Sequence, residues 1–186
     1  MPPPLLVNFV GGAAGAWTVT RSEAVAGPPL PKVPQLDVIE GATPMSGFDW
    51  CLRGVASNER YVERGERTQL TSRQEGLGRP AATLAALIPI RKRDDWWSLP
   101  QDERRDIFEA RSAHIAIGLD YLPAIARRLH HSRDLGGDFD FLTWFEYSPD
   151  DEHAFEHLVH RLRATPEWQY VDREIDIRLT WSGSGG

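Results

Sequence analysis

The sequence predicts an α+β fold, an antiparallel sheet with helices packed on one side. Three observations predict it. The first half is built from short apolar runs broken by glycine and proline, with little helical periodicity. The second half opens with a helical segment after Ser98-Leu99-Pro100. It then runs strand, amphipathic helix, strand, and each of those strands carries one polar face.

Residues 5–10 form an apolar run ended by Gly11-Gly12, and 16–20 continue as a strand. Residues 27–34 hold four prolines and read as a loop or an extended edge. Residues 48–55 read as a strand and 83–90 as a buried one. Between them, 60–69 carries Glu63, Arg64, Glu66 and Arg67 and reads as a solvated hairpin or arm. Ser98 is placed to cap a helix with Pro100 in its first turn, and Asp102 and Glu103 suit its positive end. Residues 113–129 read as a second helical stretch, interrupted by Pro123, and Gly136-Gly137 ends that region. Residues 138–147 alternate, with Phe139, Phe141, Thr143, Phe145 and Tyr147 on one face. An amphipathic helix follows at 150–163. Residues 170–179 alternate again, Val171, Ile175, Ile177 and Leu179 against Asp172, Glu174, Asp176 and Arg178.

The net charge of -6 and the lack of a Lys/Arg block argue against a nucleic-acid footprint. A negative chain also repels anions at long range, so an anion site here needs local positive charge. Cys51 stands alone, which excludes an internal disulfide and a cysteine metal cluster. No signal peptide and no membrane span is read, and the expected location is cytoplasmic. Residues 183–186 read as a flexible tail.

On a helical wheel His114 shares a stripe with Ile117, Gly118, Tyr121, Leu122 and Ile125. It points to the core, either as a satisfied core histidine or as a metal ligand. Gly118, one turn on, leaves a gap against which a flat cofactor can lie. Glu167 is either a solvated turn carboxylate or the acceptor that fixes the His114 tautomer. Thirteen residues separate Arg127 from His114, about 220° around an ideal helix and off the stripe. Arg128 competes with it equally. Lys92, Trp96 and Trp97 offer donors for carboxylates, or are core and surface. His153, His157 and His160 crown the solvent side of their helix and His130-His131 reads as surface, so neither set is expected to bind metal.

Several motifs together resemble the chlorite dismutase family, in its short, dimeric lineage. They are Trp96-Trp97, the His114 to Arg127 spacing, Phe141-Leu142-Thr143-Trp144-Phe145-Glu146, and Thr165-Pro166-Glu167-Trp168-Gln169-Tyr170-Val171. The resemblance covers roughly residues 90–180. It implies a dimeric ferredoxin-like α/β barrel of two halves, the first truncated: 1–95, then a haem-binding half at 96–182. It implies haem b, one per subunit, and a homodimer without nucleic acid or membrane. It assigns His114 as axial ligand of the haem iron, Glu167 as its hydrogen-bond partner and Arg127 as the catalytic distal residue. Lys92 and Trp96 fall near the propionates, Trp97 beside the haem, and Thr143 and Phe145 in the distal pocket. The implied activity converts chlorite to chloride and dioxygen through ferryl haem and a transient hypochlorite held by the arginine. The rivals are a coprohaem decarboxylase, whose members generally lack that arginine, a haem-binding or sensing protein without activity, and a plain interaction protein.

Overall fold

Eight strands carry the architecture: β1 Leu5–Gly12, β2 Trp17–Ala26, β3 Gln35–Glu40, β4 Trp50–Ala56, β5 Leu84–Lys92, β6 Ala126–His131, β7 Phe141–Tyr147 and β8 Val171–Trp181. The computed structural model describes residues 4–56 and 76–183, so the arm expected at 60–69 lies outside the described residues. Every neighbouring pair is antiparallel. The order β1-β3-β2-β8-β5-β7-β6-β4 closes on itself through β4 and β1, and closure removes the open edges a sheet would otherwise expose. In each run of four strands the fourth lies beside the first and the second beside the third.

Among the described residues, helices occupy only the connections of the second run. They are α1 Asp94–Ser98, α2 Gln101–Arg105, α3 His114–Leu119 and α4 Glu152–Arg163, with a π-helical turn at Asp106–Arg111 and a 3-10 turn at Pro166–Tyr170. On α4, Phe155, Leu158, Val159 and Leu162 recur at helical spacing and are buried against the sheet. Strand alternation therefore builds two cores. Phe9, Trp17, Leu87, Trp144, Ile175, Ile177 and Leu179 fill the barrel. Ala86, Ile88, Ile90, Phe141, Phe145 and Tyr147 face the helices. Both faces of β5 are covered, which is why its apolar run is nearly unbroken. Gly11 serves a close approach, since a Cβ there would lie 2.3 Å from the Trp50 ring.

The structure corrects several expectations. The helix expected across 113–129 stops at Leu119, and the chain re-forms as β6. Pro123 has no N–H to continue a helix and biases the residue before it away from helical backbone. Ser98 closes α1, its hydroxyl donating to the Asp94 carbonyl at 3.0 Å, and α2 begins after Pro100 without a side-chain cap. Phe139 belongs to the barrel interior although Phe141 faces the helices, because the alternation starts only at β7. Val171 likewise packs on the helix side, beyond a bulge in the β5–β8 pairing. The polar face of β8 is buried from Glu174 to Arg178, next to α4, while Asp172 stays half-exposed and pairs with Arg91. Arg163 donates to Glu174 at 2.7 Å and to Asp176 at 3.0 Å, and Arg178 joins Asp176 to Glu156. Two neighbouring buried carboxylates are tolerable only because these guanidinium groups bridge them.

His130, expected at the surface, is fully buried against Phe9. Its Nε2 accepts from Arg128 Nε at 2.9 Å, so Nδ1 carries the proton and donates to the Leu142 carbonyl at 2.8 Å. Burial pushes its pKa from 6.5 down to about 4. The unfolded chain takes up this proton near 6.5 and the folded chain only near 4, so stability is full above 6.5 and is lost as pH falls toward 4. The loss is about 3 kcal/mol. Urea unfolding midpoints between pH 7 and pH 4 should fall less steeply in His130→Gln than in the parent. Equal slopes would rule His130 out as the acid-sensitive group.

Candidate functional site

The site begins where the π-helical turn gives way to α3. Ala113 takes a left-handed backbone (φ 51°), a strained conformation for a residue with a Cβ. It turns the chain so that α3 starts at His114, and Glu109 receives the Ile115 N–H at 2.9 Å. The His114 ring lies 4.5 Å from Phe108 and 6.3 Å from Trp168, nearly parallel to both. Its Nδ1 donates to Glu167 Oε2 at 2.8 Å, so in the neutral ring Nε2 is the nitrogen with the free lone pair.

Glu167 is buried, not a solvated turn residue. The Lys92 ammonium donates to its other oxygen at 2.6 Å, and its own N–H donates to Ser112 Oγ at 2.9 Å. Burial pushes the Glu167 carboxyl up, but Lys92 and His114 outweigh it and hold the group at about 2. Burial lowers the Lys92 ammonium below its ordinary value, with Glu167 opposing. The result is a relay, Lys92 to Glu167 to His114, with both carboxylate oxygens engaged.

Facing the imidazole is a cleft lined by Ile88, Ile90, Arg127, Thr143, Phe145 and Val159, among others. Strand register explains the set. Arg127 sits opposite Phe145, and Thr143 opposite both Leu129 and Ile88. Because β6 is a strand, Arg127 and Arg128 point to opposite faces. Arg127 enters the cleft with His114, and Arg128 turns to His130 and Glu40. The helical-wheel angle that set Arg127 aside came from the wrong secondary structure. Burial pulls the Arg127 guanidinium below its usual value, yet an arginine starts so high that it stays charged at neutral pH. A Cβ on Gly118 would lie 2.4 Å from that guanidinium, so the gap expected at Gly118 is filled by Arg127.

Lys92 and Trp96 pack at Glu167, at the carboxylate oxygen that His114 leaves free. Lys92 is buried with its amine 3.6 Å above the Trp96 ring, and Trp96 is fully buried. The physical reason is that Glu167, buried beside an imidazole, needs a cation of its own. Trp97 is half-buried and stacks on Phe141, its Nε1 donating to Asp140 at 3.1 Å. Asp140 also accepts the Lys92 backbone N–H at 2.7 Å and ties Arg133 at 3.3 Å. Sequence reasoning missed Ser112, Asp140, Ile88, Ile90, Trp168 and Glu174. The alternation of β5 gives Ile88 and Ile90, and Trp168 adjoins Glu167, whereas nothing local marks Ser112 or Asp140.

His153, His157 and His160 are exposed, and among the described residues no group of three or more His, Cys, Asp or Glu is placed to hold a metal ion. Burial raises the pKa of the half-buried Cys51 thiol, with Arg53 opposing, the reverse of what an activated nucleophile requires. No helix of the described residues is long and apolar enough to cross a membrane.

Fold and site together define an α+β barrel whose cleft, between sheet and helices, is lined by both an oriented imidazole and a buried arginine. A family profile described as Chlorite dismutase matches residues 42–181. The chain belongs to the chlorite dismutase family. It is similar to a dimeric chlorite dismutase from Nitrobacter winogradskyi, 56% identical, with a TM-score of 0.89 and coverage of 95% of this chain and 99% of that one. A chlorite dismutase variant from Candidatus Nitrospira defluvii, in complex with cyanide, shares the fold at 19% identity with a TM-score of 0.65, over 95% of this chain and 90% of that one. The chlorite dismutase of Ideonella dechloratans is 31% identical over 121 residues, 64% of this chain. That match spans 40% of the curated relative's length.

Proposed function

We propose that this chain binds haem b through His114 and converts chlorite to chloride and dioxygen, with Arg127 as the catalytic residue. The observation that carries the reading is the presence of two groups in one cleft. One is an imidazole whose Nδ1 is held by an ionised carboxylate, and the other is a buried guanidinium. The donor set fits haem: Nε2 of the carboxylate-oriented imidazole could hold the iron, and Ile88, Ile90, Phe145 and Val159 offer apolar walls. The close approach of Arg127 to Gly118 fits as well. The atoms that crowd Gly118 are the far end of the flexible Arg127 side chain, which a bound ring could displace.

Bound there, the haem iron supplies the reversible oxygen acceptor that no side chain provides. The protein's own groups do the rest. Glu167 keeps His114 in one tautomer and makes it electron-rich, and Lys92 keeps Glu167 ionised. Arg127 draws a small anion into a protein whose net charge of -6 opposes it. It would also hold the departing oxychlorine anion in the cleft by charge, next to the bound group. Thr143 and Phe145 narrow that wall and keep it dry. The overall reaction moves no net proton, so the site needs no acid or base.

We also read the two runs of four strands as ferredoxin-like halves, the first without helices in its described connections. The β5 strand pairs with β7 and β8, so we place the division before Leu84 instead of after residue 95. The short first half and the dimeric relative support a homodimer.

Ion chromatography tests the activity. Haem-loaded protein mixed with chlorite should yield chloride as the chlorine product, and persistence of chlorite or its conversion to chlorate would contradict it. Glu167→Gln tests the relay. Removing the anion behind His114 should raise the ferric/ferrous potential in a spectroelectrochemical titration. It should also cost about 3–5 kcal/mol of stability, because Lys92 loses its buried partner. An unchanged potential would remove Glu167 from the relay.

A further inference from the structure

We propose that Glu174 is a positioning residue for the haem ligand: it holds the Trp168 indole, and the indole holds the plane of the His114 ring. This rests on the haem reading above and deepens it.

The need arises from what Glu167 leaves free. One hydrogen bond fixes the direction of Nδ1, but the imidazole can still tilt about that bond. Tilting swings the Nε2 lone pair that would face the iron. Glu167 and Trp168 follow one another in the 3-10 turn, where successive side chains lie about 120° apart. Glu167 therefore meets the imidazole at its edge, while Trp168 lies alongside it. The two ring planes are 22° apart and their centres 6.3 Å apart, within the range of an aromatic contact. Trp168 is itself tied down, because its Nε1 donates to Glu174 Oε2 at 2.9 Å. The other Glu174 oxygen receives Arg163 Nε at 2.7 Å, and Glu174 is buried. The contacts thus run from the end of α4 through β8 to the ligand.

The residue type at 174 points to a task. Its partner across the sheet is Ile90, and both line the cleft with Val159 and Leu162. An apolar side chain there would continue the wall. A buried carboxylate costs desolvation, and in a cleft proposed to take an anion it also opposes Arg127. Arg163 has Asp176 as a second partner at 3.0 Å, so satisfying that guanidinium does not require Glu174. What Glu174 adds is an acceptor for the indole N–H of a residue lining the cleft.

Resonance Raman spectra of the haem-loaded ferrous protein test this through the iron–imidazole stretching band. Trp168→Phe keeps a ring without the N–H, and Glu174→Met keeps the bulk without the acceptor. Both should turn the single sharp band of the parent into a broad or split one. Haem affinity should stay within about tenfold of the parent, because His114 and Glu167 are intact. Glu174→Gln, whose amide oxygen still accepts the indole N–H, should keep the band sharp. If Glu174→Met does not fold, the other two variants decide. A sharp band in Trp168→Phe or in folded Glu174→Met overturns the inference. So does a broad band in Glu174→Gln, which would trace the effect to charge and not to the hydrogen bond. Should the parent itself give no iron–imidazole band, the haem reading fails, and this role with it.

Discussion

Replacing His114 with alanine is expected to abolish stable haem binding. Titrated with haem b, His114→Ala should lack the sharp Soret band of an axially ligated iron and bind at least about 100-fold more weakly than the parent. The magnitude follows from order of contact. Loss of a hydrogen-bond partner behind a ligand weakens metal affinity by about 10–100-fold, and here the ligand itself is removed. Folding should survive, because the ring lies at the start of α3 and is 22% exposed. Glu167 would keep Lys92 as its partner. Unchanged Soret intensity and affinity would mean that another residue ligates the iron.

Arg127→Ala should give the opposite pattern. Haem is retained, because the imidazole side is untouched, while chlorite turnover falls by about 100- to 1,000-fold, the range for removing one charged donor from a reacting anion. Hypochlorite should escape and chlorinate a trap such as monochlorodimedone, which the parent leaves largely intact. Arg128→Ala should do neither, since its side chain faces His130 and Glu40 on the other side of the strand. A leak from Arg128→Ala and none from Arg127→Ala would contradict the assignment drawn from β6 alternation.

The parts of the fold that could be read in the sequence are those where one local pattern decides. The runs that became β1, β2 and β5, the alternation of β7 and the apolar stripe of α4 all have a single period. β3 escaped notice because its six residues follow the proline-rich 27–34. β6 was misread because Ile125 and Leu129 suit a helical stripe as well as a strand, and only docking against β7 separates the two. The charges of β8 read simply as a polar face, since their partners on α4 come from tertiary packing.

The site shows the same division. His114, Glu167, Arg127, Thr143 and Phe145 were identified through motifs, and the fold gathers them around one relay and one cleft. What no motif carries is direction. Lys92 looked outward-facing by composition and is buried because Glu167 needs a counter-charge. Arg127 looked solvated by helical angle and is buried because its segment is extended.

An oxygen electrode tests in one step the proposal that His114 holds an iron in the cleft it shares with Arg127. Haem-loaded parent protein injected with chlorite should release one dioxygen per chlorite consumed. A Soret-positive protein that releases none would contradict it.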